Sequence, residues 1–180
     1  MKVLFVCTGN ICRSPMGELL FPHFFSDPNL IVDSAGTNGL DAHPIDPSSA
    51  QLLTTDGIDS SSFRSKRLTP QLARSADLIF CFSAHQRSEI IQRNPTVARR
   101  TVVLTDFANM CNYCATHNLI TGDSLEERFD SVLANASLIR PMLPHAQDIA
   151  DPYQREFEAF KTAHAQINEA LATIAHAIDQ

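Results

Sequence analysis

Four short apolar, β-branched-rich runs punctuate the chain, at residues 2–6, 30–32, 78–82 and 101–104, and longer helix-compatible stretches separate them. That alternation predicts a parallel sheet with helices on both faces, because each parallel crossover needs a dozen or more residues. After the first run, Pro15 fits a first helical turn with Ser14 as N-cap, and Met16, Leu19, Leu20 and Phe24 then form one apolar stripe. Residues 47–53 predict a second helix ending near Gly57, and residues 84–92 a third ending before Pro95. Toward the C-terminus, Phe157, Phe160, His164, Ile167, Leu171, Ile174 and Ile178 recur in steps of three and four, the strongest helical period in the chain, and predict a core-packing helix. Residues 107–147 carry no clear period, and no internal repeat or low-complexity tract stands out.

Composition narrows the classes. With 180 residues, 44% of them hydrophobic, the expected architecture is one domain, 1–180, with a substantial core. The apolar runs are strand-sized, which predicts no membrane span, and the first residues lack the pattern of a signal peptide. A net charge of −6 without a basic run argues against a nucleic-acid surface, so any phosphate must be held by local geometry. Five cysteines, an odd number, read as reduced thiols in a cytoplasmic protein.

The first run leads into Cys7, Thr8, Gly9, Asn10, Ile11, Cys12, Arg13, Ser14 and Pro15. A Cys-x5-Arg spacing alone is weak, and the chain repeats it as Cys81 to Arg87, again followed by Ser. The two turns differ in what lies between. Gly9 and Asn10 accept left-handed conformations that aim successive N–H groups inward, whereas Phe82 to Gln86 contains no such residue and already begins a helix. The Cys7 turn therefore predicts an anion cradle at a helix N-terminus, closed by a bidentate Arg13. Helix N-termini and nearby cations favour the nucleophilic thiolate form of cysteine. The Cys81 match reads as a strand-to-helix junction.

Other candidates are weaker. Asp151-Pro152-Tyr153 is, on residues alone, a turn before the terminal helix, with Asp148 a second nearby carboxylate. Cys111, Cys114 and His117 stand at metal-like spacing but lack an evident fourth ligand, so they read as ordinary loop thiols and no metal is assigned. His85 reads as a helix histidine rather than a base.

The stretch VLFVCTGNICRSPMGE closely resembles the N-terminal signature of low-molecular-weight protein tyrosine phosphatases. Further matches run through SAGT (34–37), GID (57–59), ADLIF (76–80) and DIADPY (148–153). The resemblance implies a flavodoxin-like α/β fold with a four-stranded parallel sheet and no cofactor. It implies Cys7 as nucleophile, Arg13 as phosphate clamp, Asp151 as general acid/base, and Thr8 to Cys12 with Ser14 as the phosphate loop. Asn10 and Ser34 are then loop supports, Ser14 a hydroxyl partner of the thiolate, and Tyr153 with Leu40 a cleft wall. Cys12 is implied as a thiol able to trap an oxidised Cys7. Substrates would be phosphotyrosine proteins, a bacterial tyrosine autokinase among them. Members preferring phosphoarginine carry Thr where Ile11 stands here. Arsenate reductases on the same scaffold relay electrons through two further cysteines, a pattern that Cys81, Cys111 and Cys114 do not match. Two positions depart from the family, Gln154 replacing a second aromatic and Phe63 replacing a histidine.

Overall fold

A computed structural model describes residues 1–179. The strands β1 (Lys2–Cys7), β2 (Ile31–Gly36), β3 (Leu78–Cys81) and β4 (Thr101–Val103) form one sheet in the order β2-β1-β3-β4, with every pair parallel. The order reverses beside β1, so the crevice beyond the C-terminal end of β1 is the topological switch point of a doubly wound, flavodoxin-like sheet, where such folds place their ligands.

The pleat sends alternate residues of β1 to opposite cores. Val3, Phe5 and Cys7 face the larger one, which they share with α1 (Arg13–Phe24), α5 (Leu104–Thr116) and α7 (Phe157–Ile178). Leu4 and Val6 face the smaller one with α3 (Pro70–Ser75) and α4 (Ala84–Arg93). Helices thus cover both faces as expected. Two more helices, α2 (Pro47–Thr55) and α6 (Leu125–Ile139), complete the large side, where Phe5, Phe21, Phe80, Phe107 and Phe129 interlock in tilted and edge-on contacts.

Several sequence expectations shift. Strand β2 begins at Ile31 and runs through Ser34 to Gly36, beyond the expected 30–32, because pairing with β1 carries a chain of Asp, Ser, Ala and Gly that β-propensity alone would not select. On α1, Met16 and Leu20 are buried but Leu19 and Phe24 only half-buried, while Phe21 is fully inside. Residues 107–147, unassigned from the sequence, hold most of α5 and all of α6. The terminal helix packs most of its expected face, with Ile167, Leu171 and Ile174 fully buried, but at its start Phe157 is exposed and His164 only half-buried.

Candidate active site

β1 delivers Cys7 to the switch point, and the chain turns through residues 8–12 into α1. Asn10 adopts φ 56°, the left-handed conformation its residue type tolerates, whereas Gly9 does not take positive φ. That conformation turns the Asn10 N–H back onto Cys7 Sγ at 3.2 Å. The Asn10 side chain is fully buried and uses both amide hydrogens, donating to Ser14 Oγ at 2.8 Å and to Ser34 Oγ at 2.9 Å. Its Oδ1 accepts the Lys66 backbone N–H at 2.8 Å. These partners leave one orientation for the amide.

Ser14 is not the N-cap of α1. Cys12 holds that place without a side-chain cap bond, and Ser14 sits inside the first turn with its Oγ 2.9 Å from Cys7 Sγ. Since Ser14 Oγ accepts from Asn10, its own hydrogen is left for the sulfur, and Cys7 Sγ meets two donors. Ser34, expected as a support, hands the network on by donating to Glu18 Oε2. Burial pushes the Glu18 carboxyl above its ordinary range, with the Ser34 hydrogen bond acting in the opposite direction. Glu18 was not read from the sequence, although it lies four residues after Ser14 and therefore on the same face of α1.

Arg13 is only 4% exposed, at the start of α1. It donates to the Ile149 carbonyl at 2.8 Å, meets Asp151 Oδ2 at 3.4 Å, stacks over Phe82 at 5.9 Å, and leaves its buried Nε without a partner. Ile149 is itself fully buried and donates to the Phe82 carbonyl at 2.8 Å, so the loop bearing Asp151 is plugged into the core and tied to Arg13. Asp151 folds into a small turn in which its Oδ1 accepts the Tyr153 N–H at 3.1 Å, and Pro152 is buried behind it. Asp148 serves elsewhere, accepting the Ala84 N–H at the start of α4.

Above the sulfur lies a cavity of about 210 Å³ lined by the turn from Thr8 to Arg13, with Asp151 at its edge and Leu40, Asn38 and Tyr153 at its rim. Cys7 is 3% exposed at the floor, while Leu40 and Tyr153 are each 48% exposed. Ile11 is half-buried on the loop side, and its carbonyl is fixed by the Asp46 N–H. Gln154 takes φ 58° and its amide lies 3.4 Å from Tyr153 Oη, so it braces the aromatic instead of extending the wall. Phe63 is buried in the large core.

The remaining thiols stand apart. Cys81 pairs with Val6 in register and faces the small core, so it is on the opposite side of the sheet from Cys7. Burial pushes it up to about 12, and Arg87 turns to the Thr101 and Ala98 carbonyls instead of toward it. Cys111 and Cys114 are packed inside α5, with both thiols raised by burial, while His117 stacks on Tyr113. Cys12 is a free buried thiol, pushed up by burial and then by Asp46.

The sequence pattern of the low molecular weight phosphotyrosine protein phosphatases matches residues 2–134. Over 169 residues the chain is 32% identical to the probable low molecular weight protein-tyrosine-phosphatase EpsP of Ralstonia nicotianae, spanning 94% of this chain and 90% of that one. The tyrosine phosphatase Wzb from Escherichia coli K30, solved with sulphate, superposes with a TM-score of 0.70 at 26% identity, over 97% of this chain and 96% of that one. The YwlE arginine phosphatase gives a TM-score of 0.73 over 100% and 97% of the two chains, but at 22% identity the likeness is one of fold. With the pattern matched over most of its length, the chain belongs to the low molecular weight phosphotyrosine protein phosphatase family and is a phosphoric monoester hydrolase.

Proposed function

We propose that the enzyme hydrolyses phosphotyrosine through a cysteinyl phosphate, with Cys7 as nucleophile, Arg13 as clamp and Asp151 as acid and then base. The observation that carries this reading is the cavity itself, which has a donor-supported sulfur at its floor and a guanidinium and a carboxyl at its edge. In the first step Cys7 sulfur attacks phosphorus, the P–O ester bond breaks, and the proton on Asp151 goes to the departing phenolate. In the second, Asp151 takes a proton from water, the water oxygen attacks phosphorus, and the S–P bond breaks to return the thiolate and free phosphate. Arg13 spans the phosphoryl oxygens in both steps, exchanging its contacts with the Asp151 loop for a bidentate bond. Phosphotyrosine proteins are the substrate class, and a bacterial tyrosine autokinase in the cytoplasm is the partner that the family resemblance favours.

The test compares three variants on p-nitrophenyl phosphate and a phosphotyrosine peptide. Cys7→Ser is expected to abolish turnover while retaining vanadate binding, and Cys81→Ser to leave activity intact. Asp151→Asn should lower kcat by about 10²–10⁴-fold, least for the most acidic leaving groups. It should also remove the limb of the pH profile that falls as pH rises, because a general acid must enter the reaction protonated. Activity surviving in Cys7→Ser, or an unchanged pH profile in Asp151→Asn, would overturn the assignment.

A further inference from the structure

A second cleft, of about 860 Å³, opens at the other end of the sheet. Its lining includes Asp77, immediately before β3, and Arg100, immediately before β4, whereas Cys7 closes β1 at the opposite edge. Strands of four to six residues, at about 3.3 Å per residue, put roughly 13–20 Å of sheet between the two sites.

The lining is rich in cations. Arg74, Arg87, Arg99, Arg100 and Arg140 contribute to it, five of the eleven arginines in a chain whose net charge is −6. Of these, Arg140 meets a carboxylate, Asp106, at 3.3 Å. Arg87 and Arg100 donate to neutral carbonyls, of Thr101 and Ala98 and of Arg74 respectively, and Arg100 Nε is buried without a partner. Arg74 and Arg99 are exposed, and their guanidiniums make no hydrogen bond or ion pair among the described residues. The Arg87 guanidinium is held below its ordinary value, first by burial and then by the neighbouring Arg140 cation.

The same lining carries Leu133, Ala134 and Ala136 of α6 and the acids Asp77, Glu126 and Asp130. Burial raises the Asp130 carboxyl, and Glu126 and Asp77 add to the effect, so the three acids act on one another. No ion pair among the described residues joins these acids to the arginines.

We propose that this cleft binds a small molecule carrying two or more phosphate groups on an organic body, with its phosphates on Arg74, Arg99 and Arg100 and its body against Leu133 and Ala136. Guanidiniums without carboxylate partners match phosphate oxygens in bidentate geometry. The volume falls within the ~300–1,000 Å³ of small-molecule sites and leaves room for more than an inorganic anion. The acids in the lining and the net negative charge repel an extended polyanion such as nucleic acid, yet accept a body that presents N–H donors, as an aminopurine does.

The experiment is a ¹H–¹⁵N NMR titration of the whole chain with ATP, the phosphate loop first saturated with vanadate, and with inorganic tripolyphosphate as the parallel arm. Saturable shifts are expected at the amides of residues 98–100 and 133–137, without movement of residues 8–13. Arg74→Ala with Arg99→Ala should weaken ATP binding at least tenfold and leave the melting temperature and p-nitrophenyl phosphate hydrolysis unchanged. Tripolyphosphate should bind more weakly than ATP. Absence of saturable shifts at those amides, equal ATP affinity in the double variant, or tripolyphosphate binding as tightly as ATP would overturn the proposal.

Discussion

Asn10 shows how much of a phosphate loop one residue can fix. Its backbone takes a conformation few residues tolerate, and its amide satisfies Ser14, Ser34 and Lys66 at once. The sequence made Asn10, Ser14 and Ser34 legible as supports, because their residue types and the family motif pointed the same way. A Ser before Pro also reads as a helix cap, and there the structure differs, since Cys12 holds the cap position and the Ser14 hydroxyl lies 2.9 Å from Cys7 Sγ, the partner that the family motif implied. Glu18 escaped notice because a Glu on a helix is usually a solvated face. Its placement has a measurable consequence. Burial holds its carboxyl above the ordinary range, so the unfolded chain releases that proton near pH 4.3, about the ordinary value, while the folded chain keeps it to higher pH. The contribution to stability is thus full below the unfolded value and is lost as pH rises through the folded one. Glu18→Gln retains an acceptor for Ser34 and has no proton to lose. The melting temperature of the variant, relative to the native protein, should climb between pH 4 and pH 7. A pH-independent difference would show that Glu18 is not perturbed.

The elements were legible where their period was clean and obscure where burial erased it. Helix α7 is half-covered and shows its stripe, but α5 buries Phe107, Ala108, Met110, Cys111 and Cys114 between neighbours, so its apolar residues do not confine themselves to one face. Helix α6 did carry a readable start, since Ser124 and Glu127 form a reciprocal capping box at its N-terminus. The element that positions the chemistry is α1, and its distance from β1 is set by one residue. A Cβ at Gly17 would stand 2.8 Å from Cε1 and 2.9 Å from Cγ of Phe5, a fully buried ring two residues before Cys7. Gly17→Ala gains a little helix propensity but overpacks this contact, and such insertions cost about 1–3 kcal/mol. Urea unfolding should report a loss of that size, and kcat should fall with it, because displacing Phe5 or α1 moves Cys7 against Arg13. Unchanged stability would mean that the helix can withdraw from the sheet freely.

At the scale of the molecule, the site is a depth gauge assembled from parts far apart in the sequence. The phosphate loop forms its floor, the Asp151 loop is locked over it by Ile149 and Arg13, and Leu40 and Tyr153 stand at the rim. Cys7 is nearly inaccessible, so a phosphate must be lowered to it on an arm long enough to span a cavity of about 210 Å³. A phenyl ring would supply that reach, with Ile11, Tyr153 and Leu40 of the lining beside it. Phosphoserine places its phosphate one carbon from the backbone and would fall short of the sulfur. Phosphoarginine has the reach but carries a polar guanidinium, whose N–H groups on the Ile11 side would meet no acceptor, and an unpaired polar group is penalised in a desolvated site. Measured in one peptide context, kcat/KM should be highest for phosphotyrosine, with phosphoserine and phosphoarginine at least tenfold lower. Ile11→Thr should narrow the gap to phosphoarginine by placing a hydroxyl beside the guanidinium, without improving phosphoserine, whose limitation is length. A native enzyme that prefers phosphoarginine would show that the apolar rim does not select the ester.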